Sequence, residues 1–75
     1  MTSYAQSAAD TPLTARQLEC LAWVRQGKSS TDIGAILGIS GRVVDEHIAH
    51  ACERLGVRTR VQAVLAANAK GYIGP

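Results

Sequence analysis

The stretch Asp32-Ile33-Gly34-Ala35-Ile36-Leu37-Gly38-Ile39-Ser40-Gly41-Arg42-Val43-Val44 reads as one helix, its stop and the start of the next. Ile33, Ile36 and Leu37 recur at helical spacing. Gly38 follows the last of them, at the position where a left-handed backbone usually ends a helix. Ser40 offers its hydroxyl as the next N-cap, so only Gly38 and Ile39 lie between the two helices. Ile39 is placed to plug this turn into the core. Gly34 removes a side chain where the two helices are expected to cross closely.

Working outward, the helix after Ser40 carries Val44, Ile48, Ala51 and Leu55 at i, i+4, i+7 and i+11, a narrow apolar stripe at 100° per residue. Arg42, Glu46, Ala49, His50 and Glu53 lie opposite, with Asp45 on the flank. Gly56 stops this helix. Thr59 with Gln62 then forms a capping-box pattern, and a fourth helix runs through Val61, Val64, Leu65 and several alanines to Gly71. Upstream, Thr14 with Gln17 is another capping box, with Leu13 placed to staple the first turn. Leu18, Leu21, Ala22 and Val24 give that first helix an apolar face up to Gly27, and Ser29 to Asp32 supply the cap of the second. The expected fold is therefore all-α, with four helices. Residues 1–12 lack periodicity and read as an N-terminal tail, with Tyr4 its candidate packing residue; residues 13–75 form the domain.

Seventy-five residues allow a single domain. An apolar content of 47% with 19% charged residues fits an ordered globule. One Trp, two Tyr and no Phe argue against stacking on unpaired bases. The charge is uneven: residues 1–40 balance to zero, and residues 41–75 carry the whole excess of +2. That asymmetry is compatible with a polyanionic partner without demanding one. Cys20 and Cys52 are far apart and outside any CxxC or His-pair spacing, so they read as buried reduced thiols. Cys52, His47 and His50 do not have zinc-ligand grouping, and no metal, cofactor or small-molecule ligand is expected. The N-terminus lacks a basic start and an apolar run, and no segment approaches a membrane span of about 20 apolar residues. The expected location is the cytoplasm. Neither a Ser-His-Asp nor a paired-carboxylate arrangement can be argued, so an enzyme is not expected.

Two helices joined by a tight turn containing glycine have the layout of a DNA-binding helix-turn-helix, whose second helix enters the major groove. A plain helical bundle meets the same periodicity. From Leu13 to Ile73 the sequence resembles the LuxR/GerE (NarL/FixJ) type of DNA-binding domain. The matching stretches are Leu13-Thr14-Ala15-Arg16-Gln17, Gly27-Lys28-Ser29, Asp32-Ile33-Gly34, Leu37-Gly38-Ile39-Ser40, Val44 with His47, Arg54-Leu55-Gly56-Val57, and Arg58-Thr59-Arg60 with Gln62-Ala63-Val64. The resemblance implies a four-helix fold, recognition of two-fold related half-sites in double-stranded DNA, and homodimers formed through the fourth helix. Many such domains end longer regulators. Here Met1 stands just before the domain, which favours a stand-alone regulator over a fragment.

Helix three departs from that pattern. Where relatives often carry Lys or Arg, this sequence has Asp45 and Ala49, with Glu46 alongside, and Val43 replaces a frequent Thr. Carboxylates near a duplex are unfavourable unless paired, although a carboxylate can accept from cytosine N4. The candidate base-facing residues are Arg42, Asp45, Glu46 and Ala49. Ser30, Thr31, Ser40, Arg54 and Arg58 are candidates for the DNA backbone, with Lys28 a weaker one. Solvated surface is the plain alternative for Arg54 and Arg58, and compensation of the helix dipole for Asp45 and Glu46. His47 matches a frequent family histidine and is read as structural; His50 points outward. Val61, Val64, Leu65 and Asn68 are the candidate dimer seam, although Ala-rich packing inside one subunit predicts much the same pattern. The alternative function is a protein-interaction module that meets another regulator, or the transcription machinery, through its acidic helix.

Overall fold

The computed structural model describes residues 11–74. Its four helices are α1 (Ala15–Arg25), α2 (Ser30–Leu37), α3 (Gly41–Leu55) and α4 (Arg60–Ala69). Every start has the cap read from the sequence. Thr14 accepts from the Gln17 amide at 3.1 Å while Gln17 Oε1 accepts from the Thr14 amide at 3.0 Å, completing the box. Thr59 and Gln62 repeat it, each bond 3.1 Å long. Ser29 caps α2 through the Asp32 amide, and Ser40 caps α3 through the Val43 amide, both at 3.1 Å. These bonds satisfy amides that a helix start leaves without an internal partner.

The core gathers Leu13, Leu18, Cys20, Leu21, Ile33, Val44, Ile48, Ala51, Cys52, Ala63, Ala67 and Ile73. Leu13 and Leu18 are both buried at the start of α1, as a staple requires. On α3 the expected stripe is present as Val44, Ile48 and Ala51, joined by Cys52; Leu55, in the last turn, is only half-buried. Both cysteines are free and buried, and burial pushes both thiols above their ordinary range. Ala63 and Ala67 turn inward at i and i+4, and their small side chains let α4 lie close against the rest of the bundle.

Two places differ from the sequence expectation. Ile36, read with Ile33 and Leu37, is 47% exposed. In α2 the buried arc is centred on Ile33 and Gly34, because Gly34 faces the turn into α3; Ile36 lies on the other side of Ile33 and falls outside it. At the far end, α4 stops at Ala69 and the chain turns back. The Tyr72 amide reaches the Ala67 carbonyl at 2.8 Å and the Gly71 amide the Asn68 carbonyl at 3.1 Å, a Schellman closure that drops Ile73 into the core. Tyr4 and the tail up to Asp10 lie outside the described residues.

Candidate nucleic-acid interface

The helix-turn-helix is held together by backbone approaching backbone. A Cβ on Gly34 would stand 2.5 Å from the Ile39 carbonyl oxygen and 3.0 Å from the Gly41 nitrogen, so no side chain fits there. Gly38 has φ +75°, and Ile39 after it packs against the core. The turn thus delivers Ser40 to the start of α3 in one direction only. Gly41 in turn lies against the first residue of α2: its Cβ would meet the Ser30 carbonyl at 3.4 Å. The starts of α2 and α3 are therefore neighbours.

Arg60, the first residue of α4, brings a third helix start to the same place. Its Nη1 donates to Ser30 Oγ at 2.9 Å and its Nη2 to Asp45 Oδ1 at 2.9 Å. The Ser30 hydroxyl donates to the same Asp45 oxygen. Asp45 sits in the second turn of α3, and this arrangement holds its carboxyl below the usual carboxylate range. The hydrogen bond from Ser30 is the largest cause, followed by the bond from Arg60. Three converging helix starts also place positive ends of backbone dipoles near this carboxylate.

Arg42, Asp45, Glu46, Ala49, His50 and Glu53 are all exposed along one side of α3, opposite the buried stripe. This is the division read from the sequence. His47 is half-buried at the edge of that stripe. Thr31 and Ser40 are exposed near the start of α3, and Ser30 is half-buried beside them. Ser40 Oγ accepts from the Val43 amide, which leaves its hydroxyl hydrogen available as a donor.

Of the remaining candidates, Arg54 lies farthest along α3, whereas Arg58 and Lys28 stand two residues ahead of the starts of α4 and α2. Arg54 is in the last turn of α3, roughly 18 Å along the axis from Arg42 at 1.5 Å per residue. Its Nη1 donates to the Pro12 carbonyl at 2.9 Å, tying the entry of the domain to the end of α3. Arg58 is exposed in the link to α4, and its amide joins the Gln62 cap at 2.9 Å. Lys28 is exposed ahead of α2. Arg60 belongs to the Arg58-Thr59-Arg60 stretch that carries the family resemblance but is not among the candidate DNA-binding residues read from the sequence. A signal for it exists: a cation at the first position of a helix opposes the dipole there, so its presence asks for a partner.

On the outer side of α4, Val61 and Leu65 are 63% and 65% exposed, and they line a shallow groove with Val64, Val24 and Arg25. Asn68 is exposed on the same helix. Among the described residues no group of His, Cys, Asp and Glu is arranged to hold a metal ion, and no helix is long and apolar enough to cross a membrane.

Residues 11–67 match the family model described as "Bacterial regulatory proteins, luxR family". Similar proteins include the transcriptional activator protein VanR of Vibrio anguillarum, 46% identical over 63 residues that cover 84% of this chain and 26% of VanR. The transcriptional activator protein LuxR of Aliivibrio fischeri is 42% identical over 69 residues, covering 92% of this chain and 28% of LuxR. The transcriptional activator protein SolR of Ralstonia nicotianae is 44% identical over 61 residues, covering 81% of this chain and 26% of SolR. The chain thus spans about a quarter of the length of these relatives. No solved structure matches it. A helix-turn-helix closed by Gly34 and Gly38, four capped helices and a family match over most of its length agree: the chain belongs to the luxR family of bacterial regulatory proteins, which are regulators rather than enzymes.

Proposed function

We propose that this domain binds double-stranded DNA sequence-specifically in the cytoplasm and regulates transcription, with α3 in the major groove. The observation that carries the reading is the exposed face of α3 beside the neighbouring starts of α2 and α3. A helix presented this way offers its first turns to base edges, while hydroxyls and amides at the helix starts meet phosphates. Arg42, Asp45, Glu46 and Ala49 form the base-facing surface. Thr31 and Ser40 contact the DNA backbone through their hydroxyls and Ser30 through its main-chain amide, its hydroxyl being committed to Asp45, with Arg58, Lys28 and the free donors of Arg54 at the periphery. Relatives that carry the same domain are named transcriptional activators. Selection of bound duplexes from a random library, followed by titration across salt, tests the reading. Enrichment of a site and a steep loss of affinity with salt support it; no binding to any duplex at low salt overturns it.

The same reading includes a homodimer through α4. Its support is the sorting of that helix: Ala63 and Ala67 face the core, whereas the larger Val61 and Leu65 stand in water. Packing within one subunit accounts for the alanines and leaves the outer apolar stripe without a purpose inside the monomer. Sedimentation at several concentrations, with a two-fold symmetric selected site, is the expected result.

A second reading has one observation in its favour. Glu46 and Glu53 are exposed on α3 and have no ion-pair partner among the described residues. Such a face also suits a basic protein partner, a regulator or a component of the transcription machinery. A stoichiometric partner lost on Glu46→Lys, in a chain that ignores DNA, would favour this reading over the first.

A further inference from the structure

Asp45 stands on the face of α3 assigned to bases, yet one of its oxygens is already committed. Oδ1 accepts from Ser30 Oγ and from Arg60 Nη2, and Arg60 Nη1 closes the ring on Ser30 Oγ at 2.9 Å. Three residues from three helices are locked together. A guanidinium carries five N–H donors in a rigid fork, and this ring uses two. The Arg60 side chain keeps 38% of its surface exposed, and its other three N–H donors take no part in the ring. The pairing also cancels the Asp45 charge where a duplex would otherwise meet a bare carboxylate.

We propose that Asp45 is a positioning residue of the DNA-binding surface: with Ser30 it holds the Arg60 guanidinium at the start of α2, where the remaining N–H donors take a phosphodiester oxygen of the duplex. The inference rests on the DNA-binding reading above and deepens it. Arg60 becomes the phosphate-binding cation that the acidic face of α3 lacks. Asp45 acts through Arg60 and does not read a base. Arginine suits this position because its planar fork can serve a carboxylate and a phosphate together, which a lysine point charge does less well.

The test uses the 75-residue chain, its selected duplex and a set of single-base variants of that duplex. Circular dichroism melts first establish that each variant is folded. Arg60→Ala is expected to weaken binding to every duplex by roughly three- to tenfold, and to make the plot of log K against log salt shallower by about 0.9. Asp45→Asn is expected to weaken binding uniformly and to leave the preferred bases unchanged. In the Arg60→Ala background the same Asp45→Asn change should strengthen binding, because it then removes an unpaired carboxylate. Arg60→Lys should keep the salt slope and lose affinity; unchanged affinity there overturns the proposed fork, even if Arg60→Ala fails to fold. An unaltered slope in folded Arg60→Ala also overturns it, as does an Asp45→Asn variant that changes the base selected at one position whatever stands at 60. Wild-type binding is read first: if it is absent the DNA-binding reading itself fails and takes this inference with it, whereas wild-type binding with the wrong variant pattern overturns only the roles of Asp45 and Arg60.

Discussion

Arg60 Nη2 lies 2.9 Å from Asp45 Oδ1, so the first residue of α4 is tied to the second turn of α3 across fifteen positions of sequence. Both side chains are more than a third exposed, which limits the pair to the range of about 0–1 kcal/mol measured for surface ion pairs. Its pH dependence has a definite sign. The folded carboxyl is held below its ordinary value by Ser30 and Arg60, so its contribution is complete above the unfolded value of about 3.9 and is lost as pH falls through the depressed folded value. Urea unfolding of wild type and Asp45→Asn from pH 6 to about pH 2 is expected to show the difference between them closing in acid. A constant difference across that range would separate Asp45 from the acid response.

Gly34→Ala sets two effects against each other. Alanine is favoured over glycine inside a helix by about 1 kcal/mol. Its Cβ, however, would sit 2.5 Å from the Ile39 carbonyl oxygen, and backbone cannot swing aside as a flexible side chain can. Overpacking of this kind costs about 1–3 kcal/mol or more, so the clash wins. The expected result is a lower Tm and weaker DNA binding, because the shift falls on the turn that aims α3. An unchanged Tm would show that α2 and α3 are less closely seated.

The two faces of α4 should respond oppositely to substitution. Ala67→Leu forces volume into a fully buried site and is expected to destabilise the fold by about 1–3 kcal/mol. Leu65→Glu places a charge on a side chain already in water, with a stability change of about 0.5 kcal/mol or less. Sedimentation of Leu65→Glu should show loss of self-association with the fold intact. If it associates as wild type does, the seam lies elsewhere.

The two thiols should label in order. Cys20 is fully buried and Cys52 keeps 8% exposure, and burial raises both above the ordinary thiol range. Thiolate is the reactive form, so both should react slowly with a thiol reagent at neutral pH, Cys52 before Cys20, and at full speed in denaturant. Fast labelling of Cys20 in the folded chain would mean that α1 opens readily.

The sequence by itself determined the four helices, because their starts and stops are contacts between residues a few positions apart. Thr14 with Gln17, Ser29 with Asp32, Ser40 with Val43 and Thr59 with Gln62 all close within three residues. The stripe on α3 was legible for the same reason: it needs only the helical period. The candidate surface was legible as the reverse of that stripe, so Arg42, Asp45, Glu46 and Ala49 were found together. What each residue touches was not. Arg60 meets Ser30 across thirty positions, Arg54 meets Pro12 across forty-two, and Ile73 returns to the core only after the Schellman turn at Gly71. No periodicity records such pairings, since they depend on how rigid helices seat against one another. The tertiary structure alone decided that Ile36 and Leu65 face water, that Ala63 and Ala67 are the residues of α4 turned into the core, and that an apparently unfavourable Asp45 already has a cation beside it.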